Sequence, residues 1–279
     1  MENNHTPSDF EKEVLSSLVL PNGQPKEDVW QQLQEALHAT PPKKCIRSLL
    51  IRYMIRYMAA ATIALGFLGG FLRYYQTTID CPSGTYQIAL LPDGSQVYLN
   101  AGSSLSYTPY WWDRTVVLTG EAFFEVKKGS RFVVESTQGQ TEVLGTSFNI
   151  YAREQRYAVV CKTGKVLVTT ARRDSVYLLP EEKALLVQNR LQKQEQQQQE
   201  LAWRKQSFYF DEAPLQEVVQ ELERQYAITI TISRKLAQNY TYTGYFKKTE
   251  DPATALEIIT ISLGLQFKKT AARKYTIVA

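Results

Sequence analysis

Residues 57–72, YMAAATIALGFLGGFL, form an uncharged apolar run between Arg56 and Arg73, and such a run divides a chain into segments that must fold apart. At about 1.5 Å per residue its helix reaches roughly 24 Å, short of a hydrocarbon core of about 30 Å. Snorkelling of Arg56 and Arg73 extends it, and Tyr53, Tyr74 and Tyr75 supply interfacial rings. The run starts far from the N-terminus and no small-residue cleavage site follows closely, which argues against a signal peptide. Thr78-Ile79-Asp80 also lacks the small or aliphatic residues of a lipobox before Cys81. The pattern predicts one retained membrane helix over residues 51–75.

Lys43, Lys44, Arg47, Arg52 and Arg56 precede the run, whereas Arg73 is the sole base for many positions after it. That asymmetry places residues 1–42 in the cytoplasm and the long C-terminal part outside it. Residues 1–40 hold seven acidic residues against two lysines. Ser8-Asp9-Phe10-Glu11 suits a capping box, with Phe10, Val14 and Leu18 recurring on one helical face. Val29, Trp30, Leu33, Ala36 and Leu37 line a second amphipathic helix, ended by Thr40-Pro41-Pro42; Pro21-Asn22-Gly23 joins the two. A segment this short buries too little apolar surface to stand alone, so its stripe borrows a partner's surface or packs on itself or the bilayer. Its acidity suits a basic protein partner.

Beyond the run the sequence changes to short alternating segments: 96–99, 115–118, 122–126, 132–135 and 157–161. Pro92-Asp93-Gly94 and Lys162-Thr163-Gly164 mark turns between them. No helix-length pattern interrupts residues 88–187, which predicts an all-β sandwich or solenoid-like sheet. Cys45 lies on one side of the membrane and Cys81 and Cys161 on the other, with no zinc-like spacing. Cys81 and Cys161 are open to pairing in an oxidising compartment, or stand as two separate thiols.

Three phrases carry a resemblance. They are Leu91-Pro92-Asp93-Gly94-Ser95-Gln96-Val97-Tyr98-Leu99-Asn100-Ala101-Gly102-Ser103, Leu118-Thr119-Gly120-Glu121-Ala122-Phe123-Phe124-Glu125-Val126 and Val143-Leu144-Gly145-Thr146-Ser147-Phe148-Asn149-Ile150, with Gly164-Lys165-Val166 after them. In that order they resemble the FecR family of transmembrane anti-sigma regulators over residues 80–190. Each phrase has an architectural reading: a tight turn at Asp93-Gly94, a close bend at Gly120, and core aromatics at Phe123, Phe124 and Phe148. The chain departs from the family at Leu179-Pro180-Glu181-Glu182-Lys183, where Pro-Gly is usual. The glutamine-rich residues 192–199 read as a solvated spacer or exposed edge.

Residues 201–279 alternate strand and helix: strand 208–210, a helix with Leu215, Val218, Val219 and Leu222 on one face, strands 228–232 and 241–246. A second helix opens at Asp251-Pro252, carries Leu256, Ile259 and Leu263 and ends at Gly264, before strands 265–268 and 275–278. Two tandem strand-helix-strand units predict a small α+β module with its helices on one face of a sheet. Trp203, Pro214-Leu215, Leu222 and Tyr242-Thr243-Gly244-Tyr245-Phe246 resemble the C-terminal module of FecR-like regulators, itself similar to secretin and TonB-short domains.

Catalytic constellations are poorly supported. Both histidines, His5 and His38, precede the membrane run, so no Ser-His-Asp or Cys-His set forms beyond it. Glu121 and Glu125 share one strand face and read as solvent-facing. No glycine cluster fits a phosphate loop, and nothing calls for a metal or cofactor. The bases before the run suit anionic lipid rather than nucleic acid. The resemblance implies an inner-membrane, single-pass regulator, not an enzyme. Its partners would be an extracytoplasmic-function sigma factor, held by Phe10, Val14, Leu18, Trp30, Leu33 and Leu37, and the signalling domain of a TonB-dependent outer-membrane transporter. Gly145-Thr146 has two readings: a glycine bend followed by a strand, or, as in some members of that family, a self-cleavage bond with the Thr146 hydroxyl as nucleophile. The alternative is an envelope scaffold or glycan-binding protein without a sigma partner.

Overall fold

The computed structural model describes residues 25–38, 46–110, 112–154, 156–195 and 201–278. Tertiary contacts group residues 1–66 and 67–279 into two compact units. In the first unit, α1 spans Lys26–His38, close to the second expected helix. Phe10, Val14 and Leu18 lie outside the described residues. α2 spans Ile46–Tyr74, longer at both ends than the uncharged run. Its apolar stretch, Leu50–Tyr74, has a mean hydropathy of 1.5 and none of it is buried within the protein. At about 1.5 Å per residue this reaches about 37 Å, enough to cross a bilayer with some tilt.

The β-domain is built from β1 (Thr77–Cys81), β2 (Gln87–Leu90), β3 (Gln96–Leu99), β4 (Ser103–Tyr107), β5 (Thr115–Glu125), β6 (Phe132–Glu135), β7 (Gly139–Val143), β8 (Ser147–Arg153), β9 (Arg156–Thr163), β10 (Val166–Thr170), β11 (Ser175–Leu178), β12 (Glu182–Val187) and β13 (Arg190–Glu195). The segments expected at 115–118 and 122–126 are one continuous strand. The first half of β5 pairs with β4 and β6, the second half with β3 and β8. β5 therefore belongs to two sheets, ordered β1-β4-β5-β6-β7-β10-β11 and β2-β3-β5-β8-β9-β12-β13. The changeover falls at Gly120, whose φ is +100. A Cβ there would sit 2.8 Å from Ser103 Cα, so glycine is required both by conformation and by close approach.

Between the sheets lies a core of Val97, Leu99, Leu105, Leu118, Phe124, Phe132, Phe148 and Ile150, among others. Phe124 stacks on Phe148 at 5.0 Å. The Asp93-Gly94 turn is closed by Gly94 N–H to Leu91 O at 2.8 Å. Asp93 also accepts from Ser95 N–H at 2.9 Å and from Arg114 Nε at 2.8 Å, fastening the hairpin to the next loop. β13 is an exposed edge strand that takes in residues 192–195 of the glutamine-rich run, one of the two readings of it; residues 196–199 lie outside the described residues. Cys81 and Cys161 are buried free thiols. Burial pushes the Cys161 thiol up to about 11.

The C-terminal module comprises β14 (Ser207–Pro214), α3 (Leu215–Tyr226), β15 (Thr229–Ile232), α4 (Arg234–Asn239), β16 (Thr241–Lys247), α5 (Pro252–Ser262), β17 (Gln266–Ala271) and β18 (Lys274–Val278). Asp251 caps α5 by accepting from Ala253 N–H, with Pro252 in the first turn. The expectation of one sheet is corrected: β14 pairs with β16, while β15, β18 and β17 form a separate sheet with β15 parallel to β18. α3 and α5 drive Leu215, Val218, Leu222, Leu256 and Ile259 into a core shared by both sheets. Strand periodicity fixes which face is apolar, and says nothing about which strands become neighbours.

Candidate functional site

α1 presents the described part of the expected docking stripe. Trp30, Leu33 and Leu37 are 63%, 48% and 75% exposed, a helix face with large apolar side chains in solvent. Isolated surface helices seldom leave such a stripe uncovered, and a helix-in-groove contact is the usual way to bury one.

The Gly145–Thr146 bond sits where β7 turns into β8. Gly145 has a φ of +155, and a Cβ there would come within 2.6 Å of Lys128 Cα. Thr146 is 3% exposed; its hydroxyl donates to Lys165 O at 3.2 Å and its carbonyl accepts from Val126 N–H at 3.0 Å.

The centre that sequence reasoning missed is Glu121. Alternation along β5 placed it in solvent with Glu125, but it is 6% exposed. The outer face of β5 beyond Gly120 is covered by the C-terminal module, so four successive residues, 121–124, are buried on both faces. Glu121 accepts from Asn100 Nδ2 at 2.8 Å and from Asn149 Nδ2 at 3.0 Å. Asn100 Oδ1 in turn accepts from Gln225 Nε2 of α3 at 2.7 Å, and Gln225 also donates to Glu221 Oε1 at 2.9 Å. α3 thus uses one face for its own core and the other, with Glu217, Glu221, Arg224 and Gln225, to bind the β-domain.

Further bonds fasten the joint. Gly84 N–H donates to Arg224 O at 2.7 Å, satisfying a carbonyl in the last turn of α3. Arg153 donates to Gly102 O at 3.0 Å and Ala101 O at 2.7 Å, holding the loop that carries Asn100. Arg156 pairs with Glu217. Arg204 lies 3.9 Å above Phe123 and 4.4 Å above Tyr98, and reaches Glu125 at 3.3 Å. Glu125 is therefore an ion-pair residue at the margin of the joint, partly exposed.

Burial raises the Glu121 carboxyl above its ordinary range, and the like charge of Glu221 adds to the shift; Arg153 and the two asparagine donors oppose it. Burial likewise lowers Lys248, against the pull of Glu221. Beside this network a cleft of about 420 Å³ opens, lined among others by Asn149, Tyr151, Trp203, Glu217 and Arg224. Among the described residues, the arrangement places no nucleophile beside a base; it is suited to holding two bodies in one orientation through bonds that a change of protonation or position would loosen. Among the described residues, no cluster of three His, Cys, Asp or Glu side chains has the geometry to hold a metal ion.

Comparison with known proteins matches residues 77–167 to the model described as FecR protein and residues 207–277 to that described as FecR, C-terminal. Two crystal structures of candidate anti-sigma factors from Parabacteroides distasonis ATCC 8503 are similar in fold. One has 28% identity and a TM-score of 0.67, covering 73% of this chain and 99% of the other. The second has 29% identity and a TM-score of 0.65, covering 72% and 98%. No curated protein gives a significant match.

Proposed function

Because this chain belongs to the FecR family, we propose that it is a single-pass transmembrane anti-sigma regulator. Residues 1–42 face the cytoplasm and hold an extracytoplasmic-function sigma factor, and the two folded bodies after α2 face the periplasm. The observation that carries this reading is the joint occurrence of two FecR domains, a helix long enough to cross a membrane, and an uncovered apolar stripe on α1. Phe10, Val14, Leu18, Trp30, Leu33 and Leu37 bury against the sigma factor, and the acidic residues around them oppose its basic polymerase- or DNA-facing surface. On the outer side, the signalling domain of a TonB-dependent transporter engages the β-domain or C-terminal module. Displacement at the Glu121 joint is the change passed towards α2.

The test is co-purification of the full-length chain from its native membrane with mass spectrometry of what remains bound. A sigma factor is expected. Trp30→Asp removes a central aromatic anchor, and a loss of about 2 kcal/mol or more corresponds to a roughly 30-fold drop in affinity. Recovery of envelope components alone, with no sigma factor, rejects this reading for the scaffold or glycan-binding alternative. Equal sigma recovery by Trp30→Asp rejects the assigned surface.

A further inference from the structure

We propose that the loop between β4 and β5, residues 108–114, docks on the lipid surface from which α2 emerges and seats Tyr110 at headgroup level; this rests on the reading of α2 as a membrane span. α2 ends at Tyr74 and β1 begins at Thr77, so only Tyr75 and Gln76 separate the helix from the β-domain. Tyr75 N–H still donates to Phe71 O at 2.9 Å, which carries the helical turn to within two residues of the strand. β1 leads away from α2, and β4 returns antiparallel to it with Tyr107 opposite Thr77. The loop after β4 is thereby delivered to the level of the end of α2. Ring contacts continue the path: Phe71 to Tyr75 and Tyr75 to Tyr110 are each 5.6 Å between centroids.

This tether identifies the occupant. The apolar stretch of α2 reaches about 37 Å against a hydrocarbon core of about 30 Å, so its end, with Arg73 in the last turn, stands at headgroup level. A ring in contact with Tyr75 stands at the same level, where tyrosine and tryptophan concentrate because they are apolar along the ring and polar at one end. Tyr110 is 63% exposed, and the sequence sets Trp111, outside the described residues, next to it. Trp112 turns the other way, its ring edge-on to Tyr107 at 5.6 Å and to Phe132 at 6.2 Å, and wedges the loop into the core so that Tyr110 is presented from a fixed base. Of the two ions at the end of the loop, Arg114 is folded inward on Asp93 and on the carbonyls of Lys127 and Ser130, and Asp113 accepts from Thr115 N–H at 3.1 Å. Residues 108–112 carry no charge to the lipid surface. Held by both α2 and this loop, the β-domain keeps one tilt against the membrane, and a displacement within it loads α2 instead of being lost in a flexible linker.

The full-length chain with Cys45→Ser is reconstituted in vesicles of equimolar phosphatidylethanolamine and phosphatidylglycerol, and a fluorophore is attached at Tyr110→Cys, Ser83→Cys or Ile63→Cys; the remaining cysteines are buried. Ser83 lies past the far end of β1, a strand about 16 Å long, and is the control. Lipid with a nitroxide high on the acyl chain is expected to quench the label at Tyr110→Cys and to spare that at Ser83→Cys. Quenching at Tyr110→Cys no greater than at Ser83→Cys overturns the proposal. Ile63→Cys, near the middle of the apolar stretch of α2, reports the span separately through lipid with its nitroxide near the chain end. No quenching there removes the membrane span and the docking with it, whereas quenching there without quenching at Tyr110→Cys removes the docking alone. A label can itself seek lipid, so a second measurement leaves the tyrosine in place. The anisotropy of the label at Ser83→Cys is expected to fall when Tyr110→Asp is added, because the β-domain then moves more freely on α2. An anisotropy unmoved by Tyr110→Asp overturns the proposal.

Discussion

Glu121 shows how a charged side chain is retained inside a joint between two folded bodies. Its carboxylate oxygens are each bonded to an asparagine amide, and its pKa is raised chiefly by burial. The native state therefore holds this proton at a higher pH than the unfolded chain does. The corresponding stability is fully present below the unfolded carboxylate value of about 4.3 and is lost as pH rises through the raised folded value. Glu121→Gln removes the titration at nearly constant volume. Asn149 Oδ1 is buried without a partner, so rotation of that amide gives the introduced side-chain NH₂ group an acceptor. Urea midpoints measured at about pH 5 and about pH 8 are expected to differ less in Glu121→Gln than in the parent, with the gain at the higher pH. An unchanged pH slope would show that Glu121 does not carry it.

At the scale of elements, the connection from β11 to β12 keeps a strained residue. Glu181 has a φ of +68, a left-handed conformation that costs a non-glycine residue about 1–2 kcal/mol. Glu181→Gly relieves this, but gives up an exposed Lys162–Glu181 pair worth at most about 1 kcal/mol and adds chain entropy of about 0.5–1 kcal/mol to the unfolded state. The net expectation is a gain of about 0.5 kcal/mol, raising Tm by about 1–2 °C in a body of this size. A lower Tm in a calorimetric scan would mean that the ion pair and chain entropy outweigh the strain.

For the whole molecule, the β-domain and the C-terminal module have separate hydrophobic cores bridged by polar contacts around α3. A polar interface is the kind that opens without unfolding either side. Gln225→Ala deletes the bond to Asn100, leaving Asn100 Oδ1 its contact with Ala101 N–H at 2.8 Å. A loss of about 0.5–1.5 kcal/mol is expected, which speeds exchange through joint opening by roughly 2- to 10-fold. The Gly84 amide, bonded across the joint to Arg224 O, reports this in hydrogen–deuterium exchange, while core amides such as Phe124 stay unchanged. Acceleration throughout the β-domain would instead show that the two bodies unfold together.

Features set by local chemistry were readable along the chain. The membrane-length helix follows from an unbroken apolar run, the α5 start from Asp251-Pro252, the β3 bounds from two-residue alternation, the β6 bounds from a short aromatic and β-branched run, and the hairpin from Asp93-Gly94. Each depends on residues within one or two turns or on one strand face. Other features required the tertiary structure because they depend on residues far apart in sequence. The 115–118 and 122–126 segments became one strand because Ser103 packs against Gly120 and two sheets meet there. The C-terminal strands divided into two sheets according to which helix faces they cover. Glu121 alternates with its neighbours as a solvent-facing residue would. It is buried because a helix that begins nearly a hundred residues later lies over that face of the sheet, and alternation records only that a strand has two faces, not what covers the second.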